Sequence, residues 1–260
     1  MNNKVTIINQ KGERIEAIAP VIISASRSTD IPAFYAKWFV NRLQAGYVVW
    51  YNPFNQKPVY VSFEKCKVVV FWTKNPQPTI PYLTELDKRG IHYYFQYTLN
   101  DYTDEQFEPN VPSLQKRVET FKNLSTLIEK EKVIWRFDPL IITPHLSPRN
   151  LLEKVWRVGN LLKGYTDRLV FSLVDINAYR KVQNNLVKEG LFDKDTINET
   201  EFSQDQMEMI ADGLAKCRRR WADEGWNITL ATCGETFDLD NYGIEHNYPN
   251  QMFRHKWRDI

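Results

Sequence analysis

Six apolar runs in this 260-residue chain end in side chains able to do chemistry. Val68-Val69-Val70-Phe71-Trp72 turns polar at Thr73-Lys74-Asn75, and Pro76 follows. Val21–Ser24 empties into Ser26, Arg27, Thr29 and Asp30, and Tyr93–Phe95 into Gln96, Thr98 and Asn100. Val133–Trp135 leads to Arg136 and Asp138, and Leu169–Phe171 to Ser172 and Asp175. Ile228–Ala231 leads to Thr232, Cys233 and Glu235. An arginine forks onto a carboxylate or phosphate, a lysine adds a point charge, and amides read sugar hydroxyls or base edges. Gathered around one axis, such a set suits a zwitterionic or anionic small molecule. Ser26, Arg27, Asp30, Thr73, Asn75, Gln96, Arg136, Ser172, Asp175 and Glu235 are the candidate ligand-binding residues. Lys74, Asp138 and Cys233 are the candidate catalytic ones. Lys74 could form a Schiff base with Asp138 or Asp30 as proton carrier, and Cys233 beside Glu235 could be a nucleophile with a base. The plainer reading stands beside each: a polar residue after a strand is often only a cap or turn former. Arg136 and Asp138 share one strand face and could simply pair.

The elements that must position these residues follow from the pattern. A continuous β-branched run with a polar tip reads as a strand buried on both faces whose C-terminal end opens into a site. Helical stretches are expected over 31–45, 80–89, 112–129, from 147, 179–189 and 203–224, with glycine or serine punctuation at several ends. Strand and helix thus alternate six times, which predicts a parallel sheet with right-handed crossovers. No Gly-x-Gly-x-x-Gly follows any strand, so a dinucleotide fold has no support. Polar groups at every strand end favour a barrel over an open sheet with one switch point. The expected fold is α/β, an incomplete (β/α)6 TIM-like barrel formed by residues 1–260 as a single domain. Residues 1–20 form an N-terminal hairpin, 47–63 an inserted hairpin flap, and 238–260 an irregular tail with a helical turn near 251–257.

The totals narrow the class. The chain carries 34 Lys+Arg against 32 Asp+Glu. That balance gives no general reason to expect nucleic acid as a partner. No apolar run approaches the ~20 residues of a membrane-spanning helix, and no signal-peptide core opens the chain. Cysteines 66, 217 and 233 are an odd, scattered set and read as reduced cytoplasmic thiols. His92, His145, His246 and His255 are dispersed, so no metal site is expected, although His246, His255 and Glu245 could share an ion. Arg218-Arg219-Arg220 could touch a phosphate backbone or simply form a solvated helix end. Trp50, Tyr51, Phe54 and Tyr60 on the flap could stack a base, cover a pocket or pack on the barrel. The expected partner is a small molecule. A nucleic-acid or protein interaction module is the alternative from another class.

Several blocks carry a family resemblance. Ser24-Ala25-Ser26-Arg27-Ser28-Thr29-Asp30-Ile31-Pro32-Ala33-Phe34-Tyr35, Asn52-Pro53-Phe54-Asn55, Phe71-Trp72-Thr73-Lys74-Asn75-Pro76 and Arg136-Phe137-Asp138-Pro139 resemble the bacterial family called domain of unknown function 1848. That resemblance implies a radical S-adenosylmethionine-like partial barrel similar to that of spore photoproduct lyase. It also implies a [4Fe–4S] cluster held by cysteines in a C-terminal segment. Here no Cys-x3-Cys-x2-Cys exists, and Gly243-Ile244-Glu245-His246 stands where the family turns to Cys-Ile-Asp. The resemblance therefore implies a cluster-less relative that binds S-adenosylmethionine, a related nucleotide or a small anionic ligand. Its alternative is a radical enzyme whose cluster segment this chain lacks.

Overall fold

The computed structural model describes residues 4–26, 29–52, 54–174, 201–233 and 237–246, with 183, 184, 187, 188, 190, 193, 195 and 197. The chain divides into two compact units, residues 1–97 and 98–260. It is a mixed α/β protein in which parallel strands alternate with helices.

In the first unit, β1 (Lys4–Ile8) and β2 (Arg14–Ile18) pair antiparallel around a turn at Gly12, whose φ of 80° suits a residue without a Cβ. Asn9 supports that turn by accepting the Lys11 and Glu13 amides at 2.9 and 3.0 Å. β4 (Tyr47–Tyr51) and β5 (Pro58–Ser62) form the second hairpin. Both hairpins agree with the sequence pattern. Not foreseen is a parallel pairing of Ile18 with Val61, which joins them into one sheet in the order β1-β2-β5-β4.

The unit's parallel strands are β3 (Ile22–Ser24), β6 (Val68–Thr73) and β7 (His92–Thr98), with Ile23 opposite Val69 and Val69 opposite Tyr93. Val68 to Phe71 are buried, and Phe71 stacks on Phe95 at 4.9 Å between centroids. Each such ring, fully removed from water, contributes roughly 1.5–3 kcal/mol. The expectation of two-sided burial fails for β3: it is short and outermost, and Ile22 keeps 39% of its surface. The helix expected over 31–45 is two helices, α1 (Ile31–Phe34) and α2 (Ala36–Ala45), because Tyr35 leaves helical geometry at φ −132°, ψ 22°. Gly46 ends α2 in the left-handed conformation. The stretch from Ile80 opens as a 3-10 turn to Tyr82, with Pro81 in the first turn where a missing amide costs no bond, and α3 (Leu83–Asp87) continues it.

In the second unit, β8 (Val133–Leu140), β9 (Arg168–Leu173), β10 (Thr229–Thr232) and β11 (Glu245–His246) run parallel in that order. β11 lies in the stretch expected to be irregular. It pairs with β10 through Ala231–Glu245 and Thr232–His246. The helices α4 (Leu114–Ile128), α5 (Pro148–Leu162) and α6 (Gln204–Asp223) start at Ser113, Ser147 and Ser203, each accepting a first-turn amide. At Ser203 the reciprocal bond from its own amide to Gln206 completes a capping box. Val118, Phe121 and Leu124 of α4 and Leu151, Val155 and Val158 of α5 are buried, together with Trp135, Phe137 and Phe171 of the strands. The helix expected over 179–189 and the turn near 251–257 lie largely outside the described residues.

Candidate functional site

Arg136 and Asp138 are alternate residues of β8, so their side chains share a face. The register with β9 shifts between Phe137 and Leu140, the kind of irregularity that re-aims a side chain. Arg136 is 2% exposed and donates through Nε, at 2.9 Å, and through Nη2 to the Oδ2 of Asp138. Ser172 on β9 donates its hydroxyl to the other carboxylate oxygen. Asn100 clamps the backbone: its Oδ1 accepts the Asp138 amide at 2.9 Å, and its Nδ2 donates to the Asp138 carbonyl at 3.2 Å. The same Nδ2 reaches Glu108 Oε1 at 3.1 Å, and Glu108 pairs with the buried Arg117 at 3.5 Å. Tyr102 donates to the Pro139 carbonyl at 2.7 Å and accepts from the Ile141 amide at 3.0 Å. Burial holds the Tyr102 hydroxyl well above its usual pKa, so it remains a donor.

The result is a carboxylate fixed from both sides, with its side chain 23% exposed. The two Arg136 donors fill the acceptor positions of Oδ2, and Oδ1, which accepts from Ser172, keeps one position for a ligand hydroxyl or ammonium group. Glu108, Arg117 and Tyr102 are the members that pattern reading misses. The available signal was Arg117, a charge next to Val118 on the buried face of α4. Thr232, at the tip of β10 and fully buried, has a hydroxyl with no partner among the described residues.

The strand-end residues of the first unit do different work. Asp30 caps α1 through Ala33 N at 3.0 Å and accepts Lys74 N at 2.8 Å. Ser26 Oγ accepts the Trp72 amide at 3.2 Å, Thr73 Oγ1 the Asn75 amide at 2.9 Å, and Asn75 Oδ1 the Gln77 amide at 3.3 Å. The local bonds of Asp30, Thr73 and Asn75 are the cap and turn formers that the plainer reading allowed, whereas the Ser26–Trp72 and Asp30–Lys74 bonds tie the end of β3 to β6. Gln96 is buried on β7. The strand-end residues therefore fall into two sets, one in each unit. Arg27, Asp175 and Glu235 lie outside the described residues.

The thiols do not fit an iron–sulfur cluster, which needs closely spaced thiolates. Burial pushes Cys66 and Cys217 up to about 11, so both stay protonated at neutral pH. Cys233 is half-buried, and its amide continues the strand pairing to Phe171. Among the described residues, the one group of potential metal ligands is Asp238, Asp240 and His246, their ligand atoms within 4.8 Å of one another. Both carboxylates there are exposed. Of the basic run, Arg218 donates to the Gly243 carbonyl and Arg220 lies 4.8 Å over the Trp156 ring. No helix among the described residues is long and apolar enough to cross a membrane.

Residues 22–251 match the family described as Domain of unknown function (DUF1848). The chain belongs to that family. No curated protein and no solved structure matches it. The blocks that resemble DUF1848, including Phe71–Pro76 and Arg136–Pro139, all fall within the matched span.

Proposed function

We propose that this DUF1848 chain is a partial (β/α) barrel protein that binds S-adenosylmethionine or a related nucleoside at the C-terminal ends of its parallel strands. The Asp138 carboxylate would grip a ligand hydroxyl or ammonium group. The observation that carries this reading is the double hold on that carboxylate, by Arg136 on one oxygen and Ser172 on the other. A group already locked by its neighbours loses little entropy when a ligand arrives, which is how a binding site is distinguished from a mobile surface carboxylate. Arg136 is engaged by Asp138, so the site favours the hydroxyl-bearing or cationic end of a ligand over an anionic one.

Titration calorimetry on the full chain with S-adenosylmethionine, S-adenosylhomocysteine and adenosine tests the proposal. The expected result is saturable heat with at least one of them. Asp138→Asn should weaken that binding about tenfold, the equivalent of one charge-assisted hydrogen bond. Ser172→Ala should weaken it less. An absence of heat with all three, in a sample whose circular dichroism shows it folded, overturns the reading.

A further inference from the structure

The first unit holds a second candidate site, lined mostly by residues outside the strand-end set, with Thr29 shared. A cavity of about 530 Å³ is walled by β3, by α1 and α2, and by β4 of the flap hairpin. Ile22, Ile31, Val48 and Val61 supply apolar wall, and Phe39 packs edge-on against Phe63 at 6.0 Å beneath them. The volume lies within the range of small-molecule pockets, roughly 300–1,000 Å³.

Two features give this cavity a chemical preference. Three large aromatic residues at its walls are left open to water: Tyr35 at 49%, Trp38 at 43% and Trp50 at 40%. Exposed aromatic surface on a concavity marks a place where an apolar body is expected. The second feature is Arg42, half-buried in the last turn of α2, which lines the same space. Trp38 and Arg42 lie one turn apart on α2 and share a face, and Tyr35, just before that helix, lines the same cavity. Among the described residues the Arg42 side chain makes no hydrogen bond or ion pair. A guanidinium on an apolar wall with no counter-charge among the described residues suits an anion, since pairing it there gains more than pairing it in open water.

We propose that this cavity binds a free amphiphilic carboxylate, an acyl or aryl chain whose single anionic head is taken by Arg42. Charge complementarity selects the occupant: one cation among apolar walls matches one anion on an apolar body. Trp38 and Trp50 would flank the chain, and the Arg42 fork would meet the carboxylate with two parallel N–H bonds.

The test uses the full chain, 1-anilinonaphthalene-8-sulfonate as a fluorescent apolar anion, and decanoate and decanol as competitors below their aggregation limits. Decanoate should displace the dye at least tenfold more effectively than decanol. Arg42→Met, which keeps the apolar stem, should erase that preference while decanol competes as before. Trp38→Ala and Trp50→Ala should each weaken both competitors, with circular dichroism confirming the fold of at least one of them. Equal competition by acid and alcohol in the unaltered chain overturns the proposal, as does a dye signal indifferent to Arg42→Met and to the folded tryptophan variants. So does a concentration-dependent dimer abolished by Trp38→Ala, which would make this face an interface between copies. Co-sedimentation with phosphatidylglycerol vesicles in the absence of decanoate binding overturns it as well. None of these outcomes depends on the Asp138 site, so the two proposals stand or fall separately.

Discussion

Two helical glycines in the second unit provide a sharp test of the packing, because they differ only in what stands over them. A Cβ added at Gly159 on α5 would fall 2.7 Å from Cη2 of Trp221 and closer still to Cζ2. At Gly213 on α6, a Cβ would fall 2.8 Å from Cδ2 of Leu152 and closer to Cδ1. The local gain from glycine to alanine in a helix is about 0.8–1 kcal/mol at either site. The neighbours decide the rest. Leu152 is half-exposed, and its terminal methyls can rotate away. Trp221 has nowhere to go. It is fully buried, stacked on Trp156 at 5.2 Å with 5° between planes, and tilted against Trp226 at 5.1 Å. Its Nε1 is tied to Asn160 Oδ1 at 2.9 Å. To admit the methyl the indole must retreat by roughly 1 Å, which costs about 1–3 kcal/mol in overpacking and about 1 more if the Asn160 bond breaks. Gly159→Ala should therefore be net destabilising by about 1–3 kcal/mol, and Gly213→Ala neutral to stabilising by up to ~1 kcal/mol. Urea denaturation followed by tryptophan fluorescence reads both, with a midpoint drop for Gly159→Ala on the order of 0.5–1 M. If Gly159→Ala is as stable as the parent, the indole is not held as described and the reasoning fails.

Cys66 and Cys217 should react with iodoacetamide at pH 8 about 100-fold more slowly in the folded chain than in the urea-unfolded one. Burial moves each thiol from 9.0 to about 11 and cuts its thiolate fraction accordingly; peptide mass spectrometry gives the two rates. The same shift has a sign for stability. Because the folded values are the higher ones, the contribution is intact below pH 9 and is lost as the pH rises through about 11, which a stability series over that window would record. Asp30→Ala should lower stability by about 1–2 kcal/mol by removing the α1 cap and the acceptor for Lys74 N. Asp30→Asn, which keeps an acceptor oxygen, should restore most of that in thermal melts. Lys154→Met should cost about 3 kcal/mol, since it strips the counter-charge from the largely buried Glu105; a loss under ~1 kcal/mol in urea titrations would show that pair to be idle.

Local chemistry made much of this fold legible. Ser113, Ser147 and Ser203 announce their helices because a serine hydroxyl satisfies first-turn amides, and Gly46 ends α2 because it tolerates a φ of 79°. The runs at Val68 and Val133 read as buried strands and are buried strands. What pattern cannot reveal is how a polar strand end spends its hydrogen bonds. Asp30 and Asp138 look alike in sequence. One caps a helix, and the other is held by side chains brought from residues 136 and 172. The Asn100–Asp138 clamp spans 38 positions, beyond any periodicity. β11 was missed because two residues of strand carry no pattern. The break at Tyr35 was missed because no proline or glycine marks it.

The Ile18–Val61 pairing bears on where this protein can be cut. The family match begins at residue 22, after both strands of the first hairpin. A chain trimmed to that boundary would leave one side of β5 with bare amides and carbonyls, a ready template for a strand from another molecule. It would also take from Tyr47 the Gln10 amide that its hydroxyl accepts at 3.1 Å. The unit of sequence similarity is thus smaller than the unit that shields its own edge, and the hairpin of β1 and β2 acts as that edge's guard.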